Sequence, residues 1–161
     1  FDSDVDSDIP VATASTDNLA AAALAADKLA ELIGDAGKVA VVAHDQTSRT
    51  GVDRRDGFVN RMKEAHPNVE IVTIEYGGGD HLKSTEITKA ILAANPDIKG
   101  IFGSNEGSAI GVLNGVTVPF VVCSLRMRSA AGVELGNAKS YFSSVGSDAI
   151  SRDPAVSTRT S

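Results

Sequence analysis

Apolar residues along this chain fall into two alternating patterns: short, nearly unbroken runs, and longer stretches in which they recur every three or four positions. The runs "KVAVVA" (38–43), "VEIVTIEY" (69–76), "IKGIFGS" (98–104) and "VPFVVCSL" (118–125) are rich in β-branched residues. Such runs predict parallel strands covered on both faces. Between them, Leu19, Ala23, Ala26, Ala30 and Ile33 step by four and three, as do Phe58, Met62 and Ala65, and then Ile87, Ile91 and Ala94. Each set draws one apolar stripe along a helix. Thr16 is placed to cap the first helix with Asp17 in its first turn, Gly34 follows its end, and "ANPD" (94–97) stops the third. Strand and helix alternating at roughly 30-residue intervals describe a βα-repeat. The fold class expected is therefore α/β, an open parallel sheet with helices on both faces in three layers. "VATAS" (11–15) is a candidate for an additional early strand.

Ligands of such sheets bind beyond the carboxyl ends of the strands. That places "HDQTSRTGVDRR", "GGGDH" and "SNEGS" on one rim. Residues 1–125 are read as one α/β lobe. Residues 126–161 lose the periodicity and are rich in Ser and Thr, and the last of them, "SRDPAVSTRTS", read as disordered by composition.

Charge and composition narrow the functions. The chain has 161 residues, 42% hydrophobic and 22% charged, enough for one domain with a real core. Its formal charge of −6 divides into −8 over residues 1–125 and +2 over residues 126–161, which leaves no basic surface for nucleic acid or an acidic membrane. No stretch reaches the roughly 18 apolar residues of a bilayer span. The single cysteine, Cys123, can form no internal disulfide. The first residue is Phe1, so the expectation is that a leader was removed or that the chain is a fragment.

Candidate motifs separate on spacing. "FDSDVDSD" (1–8) alternates Asp2, Asp4 and Asp6 as a calcium loop does, but Ser7 and Thr13 stand where an EF-hand needs glycine and glutamate. No metal site follows, and Asp2, at a strand end, is the acid placed to face a cleft. "GDAGKVA" (34–40) lacks the gap and hydroxyl of a phosphate-binding loop, so no cofactor is implied. "GSAIGVLNG" (107–115) repeats glycine every fourth residue, a smooth helical stripe for close packing. His44, Asp45 and Ser48 supply the residue types of a nucleophilic triad, though on one short loop without an oxyanion site. Catalysis is therefore ranked below binding.

Arg54, four residues past Thr50 where the helix is expected to start, either aims its fork of donors at a ligand or pairs on the surface, together with Arg55, with Asp53 and Asp56. Asn105 is either an N-cap or a donor and acceptor for adjacent sugar hydroxyls. In "EYGGGD" (75–80) the glycines turn the chain or admit a ligand, and Asp80 is read as a cap.

The order of three segments, "FDSD" with the "STDNLAAAALAADKLAELIG" helix, "GKVAVVAHDQTSRTGVDRRDGF", and "ANPDIKGIFGSNEGSAIGVLNGV", resembles the type I periplasmic sugar-binding proteins of ABC transporters, near the ribose-binding branch. The likeness covers residues 1 to about 117. It implies two lobes closing over one sugar, of which this chain carries the second. Asp2 would accept sugar hydroxyls, Arg54 donate to ring or hydroxyl oxygens, and Asn105 bond hydroxyls, with Asp45 on the same rim. It also implies a sugar or polyol ligand, a membrane permease as partner of the full-length protein, and a periplasmic location, or a lipid-anchored extracellular one in a Gram-positive source. The first lobe and its stacking aromatics have no counterpart here, and past "VLNGV" the chain leaves the family's pattern. The implied site is thus an incomplete one that binds weakly. Two other functions compete: the effector domain of a LacI-like repressor, which shares the fold, and a hydrolase using His44, Asp45 and Ser48.

Overall fold

In the computed structural model, which describes residues 9, 11, 12, 14–116, 121–125 and 138–142, the helix starts are set by side chains that accept from orphan backbone N–H groups. Helix α1 (Asn18–Ile33) is capped by Asp17, which accepts from the Ala20 N–H at 3.0 Å. Thr16, expected in that place, instead offers its carbonyl to the Asn18 amide. Gly34 ends α1 in the left-handed region at φ 78°, returning its N–H to the Ala30 and Glu31 carbonyls, as its position foretold. Strand β1 (Gly37–Ala43) leads into α2 (Arg49–Ala65), capped by Ser48 and so beginning earlier than the Thr50 expected. β2 (Val69–Tyr76), α3 (His81–Ala94, capped by Asp80), β3 (Ile98–Gly103) and α4 (Glu106–Gly115, capped by Asn105) complete the repeat. Strands β4 (Val121–Leu125) and β5 (Ala138–Phe142) follow.

Among the described residues the sheet has five strands in the order β2-β1-β3-β4-β5. β1 pairs in parallel with β2 and β3, and β3 with β4, as the runs of β-branched residues require. β5 pairs antiparallel with β4, so the expected parallel sheet carries one antiparallel edge. "AKSYF" has no apolar run to announce it, because an edge strand needs no cover on both faces. It falls within residues 126–161; the remainder of that stretch lies outside the described residues. The described positions of "VATAS" form no strand.

Side chains of β1 alternate between two cores, as the period of two demands. Val39, Val41 and Ala43 join α1, α2, Phe102 and Cys123 on one face. Ala40 and Val42 join Ile91, Ile98, Ile101, Val112 and Val116 on the other. On the first face the Phe58 and Phe102 rings lie parallel with centroids 4.3 Å apart. The thiol of Cys123 is buried there, donating to the Ala25 carbonyl at 3.5 Å.

Of the stripe expected on α1, Ala26, Ala30 and Ile33 are buried, joined by Ala22, Ala25 and Leu29, while Ala23 is only partly buried and Leu19 is 44% exposed. Alanine on every side leaves such a helix without a dominant face of its own, so its neighbour sets the rotation. That neighbour is α2, which approaches so closely that a Cβ on Gly57 would collide with the Leu19 carbonyl oxygen. The glycine stripe of α4 packs as expected. A Cβ on Gly111 would meet Ser84 of α3, and one on Gly115 would stand 2.6 Å from the Thr88 Cβ.

Candidate functional site

β1 connects through α2 to β2 on one side, and β3 connects through α4 to β4 on the other, so the chain departs in opposite directions from two adjacent parallel strands. The crevice beyond the carboxyl ends of β1 and β3 is the topological switch point at which open α/β sheets bind ligands. His44 and Asp45 follow β1, and Ser104 and Asn105 follow β3.

Arg54 is the group most firmly held there. Starting α2 at Arg49 carries Arg54 into the second turn, where it is only 8% exposed. Its Nε donates to Asn18 Oδ1 at 2.7 Å, and its Nη1 to the Ser104 carbonyl at 3.2 Å. Asn18 is itself 4% exposed and fixed by donating to the Thr16 carbonyl at 3.1 Å. The surface-pairing alternative for Arg54 is thereby excluded. It describes the neighbours instead: Arg49 pairs with Asp53, and Arg55 with Asp56. These two bonds fix the plane of a guanidinium that keeps its charge when buried, which suits it to oxygen ligands.

Asp45 shapes the loop. Its Oδ1 accepts from the Thr47 N–H, the Thr47 hydroxyl and the Ser48 N–H, and the two backbone bonds above all hold its carboxyl down at about 2. Gly51 allows this turn to lie on the first turn of α2, since a Cβ there would stand 2.7 Å from the Asp45 carbonyl oxygen. Asn105 takes up the N-cap role. Oδ1 caps α4, accepting from the Ser108 N–H at 2.9 Å. Nδ2 faces the glycine loop, 3.1 Å from where a Cβ on Gly79 would sit, and makes no hydrogen bond among the described residues. That loop turns through left-handed Gly78 and Gly79 and packs its Gly79 carbonyl on Gly107 of α4.

The triad residues do not combine. His44 Nδ1 lies 2.9 Å from Ser104 Oγ, Asp45 is committed to its own loop, and Ser48 Oγ accepts from the Gly51 N–H at 3.1 Å. Burial and the Arg54 charge depress the His44 pKa, which favours the neutral ring. Asp2 lies outside the described residues. Asn18, which the sequence did not single out, and Ser104, placed on the rim only as the start of "SNEGS", join α1, α2 and β3 at the crevice. Only the asparagine beside a helix cap hinted at a polar role, and Ser104 read as a strand end.

Residues 1–117 match the family described as Periplasmic binding protein domain. The D-allose-binding periplasmic protein of Escherichia coli (strain K12) is 29% identical over 103 residues, which are 63% of this chain and 33% of that protein. A carbohydrate transporter solute binding protein from Agrobacterium radiobacter, solved in complex with D-arabinose, superposes with a TM-score of 0.68 at 30% identity, covering 71% of this chain and 40% of that one. An ABC transporter periplasmic solute binding protein from Actinobacillus succinogenes with bound D-allose gives 0.60 at 33% identity, over 62% and 35% of the two chains. The chain spans about a third of the length of the curated relatives it matches. With the strand order, the crevice and the match over residues 1–117 in agreement, the chain belongs to the periplasmic binding protein domain family.

Proposed function

We propose that this chain forms one lobe of a sugar-binding site in the substrate-binding component of an ABC importer, taking a pentose, hexose or polyol. The observation that carries the proposal is the buried Arg54 fork, anchored by Asn18 and Ser104 at the switch point. In this reading Arg54 donates to ring or hydroxyl oxygens and Asn105 Nδ2 to a hydroxyl. Asp45 contributes its second oxygen at the rim, and Asp2 accepts hydroxyl protons. The sugars named for the relatives support the ligand class. The partner of the full-length protein is a membrane permease, and its place is the periplasm, or the outer surface of a Gram-positive cell by a lipid anchor. No catalytic step is assigned to the site.

Each sugar bond replaces one to water and gains on the order of 1 kcal/mol, so a single lobe binds in roughly the millimolar range. Titration of the chain with D-allose, D-ribose and D-arabinose, followed by amide chemical shifts, tests the proposal. Saturable shifts around residues 44–54 and 104–108 that vanish in Arg54→Ala are expected. A folded chain that shows no saturable shift with any of the three sugars refutes it.

A further inference from the structure

We infer that His44 is a further ligand-reading residue of the crevice: Ser104 holds its ring in the Nε2–H form, and Nε2 donates to a ring or hydroxyl oxygen of the sugar. The inference rests on the sugar-binding reading and adds a donor to it.

The hydroxyl of Ser104 sets the tautomer. Ser104 is fully buried, and its Oγ accepts the His44 backbone N–H at 3.0 Å. Among the described residues the other polar atom beside Oγ is His44 Nδ1 at 2.9 Å. A hydroxyl has one proton and must place it. If Nδ1 carried a hydrogen, Oγ would accept twice and its own proton would be buried without an acceptor among the described residues, which native interiors rarely tolerate. The arrangement that satisfies every group has Ser104 donating to Nδ1, which leaves the ring hydrogen on Nε2. Partial burial and the Arg54 charge disfavour a second ring proton, so the ring carries one hydrogen to be placed.

Position then gives the Nε2–H its use. His44 is the first residue past β1, half-buried at the crevice, and Nε2 has no partner among the described residues. Arg54 holds the Ser104 carbonyl while His44 holds the Ser104 hydroxyl, so one buried serine fixes a cationic and a neutral donor side by side. Two adjacent donors suit two adjacent acceptors, such as a ring oxygen and its neighbouring hydroxyl.

Two measurements on the whole chain test this. Nitrogen-15 spectra of the imidazole without sugar should show His44 as the Nε2–H tautomer, and Ser104→Ala should release it into a mixture. A Nδ1–H or mixed ring in the unaltered chain overturns the inference. Titrations with D-allose, D-ribose and D-arabinose should then show His44→Ala weakening binding by roughly fivefold to tenfold. His44→Gln, whose amide nitrogen reaches a similar place, should restore most of the loss. Binding that disappears in Arg54→Ala yet is unchanged in His44→Ala overturns the inference and leaves the sugar reading standing. Absence of saturable binding by the unaltered chain overturns both.

Discussion

Replacing Asn18 by alanine isolates the anchor of the candidate site. The change removes the 2.7 Å bond that Oδ1 accepts from Arg54 Nε, and the 3.1 Å bond that Nδ2 donates to the Thr16 carbonyl. Asn18 and Arg54 are 4% and 8% exposed, so water has little access to the freed guanidinium N–H. A bond to a charged group is worth about 1.5–3 kcal/mol, and the loss of an ordinary one about 0.5–1 kcal/mol. Partial relaxation of Arg54 towards the Ser104 carbonyl recovers some of this, which leaves an expected destabilisation of about 2–3 kcal/mol. In a domain of this size that lowers the melting temperature by roughly 4–10 °C. Urea denaturation followed by circular dichroism measures it, with Asn60→Ala on the exposed side of α2 as a control expected within about 0.5 kcal/mol of the unaltered chain. A loss at Asn18 no larger than at Asn60 would mean that Arg54 is held by other contacts, and the account of the anchor would fail.

The α3 and α4 seam predicts an asymmetry between two glycines. Gly111→Ala drives a Cβ into Ser84 and to within 2.7 Å of the His81 carbonyl oxygen, for an expected loss of about 1–3 kcal/mol, whereas Gly34→Ala meets open space and costs about 1–2 kcal/mol through its positive φ alone. Ser84→Gly, which removes the Ser84 Cβ but not the His81 carbonyl, should recover part of the first loss in urea denaturation and none of the second. Phe58→Ala, which empties the stacked pair with Phe102, should cost about 3–5 kcal/mol by the same measurement. Both ring nitrogens of His66 face carboxylates, Nε2 that of Asp27 and Nδ1 that of Asp35; the bond to Asp27 above all raises its pKa. Because the folded value lies above the unfolded one, this stabilisation is complete below about pH 6.5 and is lost as pH rises through the folded value. Stability measured from about pH 5 to about pH 9 should therefore fall less steeply on the alkaline side in His66→Ala than in the unaltered chain.

The stretches that could be read from sequence are those whose cause is local. Apolar runs marked β1, β2 and β3 to within a residue, because strands covered on both faces admit few polar side chains. Gly34, Asp80 and Asn105 marked helix ends, because caps bond within a few residues of themselves. The glycine stripe of α4 spoke for close packing for the same local reason. On α1 the sequence marked Ala26, Ala30 and Ile33 as buried but misplaced Leu19, whose backbone packs against Gly57 of α2 while its side chain is exposed.

Residue order along the chain thus determined the βα-repeat, the rim on which His44, Asp45, Arg54 and Asn105 lie, and the family resemblance that those segments carry. Tertiary structure alone decided which of these residues meet. Strand order places β1 against β3, bringing Ser104 to His44 across 60 positions and to Arg54 across 50, while the crossing of α1 over α2 delivers Asn18 from 36 positions away. Arg54 and Arg55 are chemically identical neighbours, and nothing in their spacing says which is buried. That distinction arises only when the helix is seated on the sheet, because a charge is held inside only where folding supplies the oxygens that replace water.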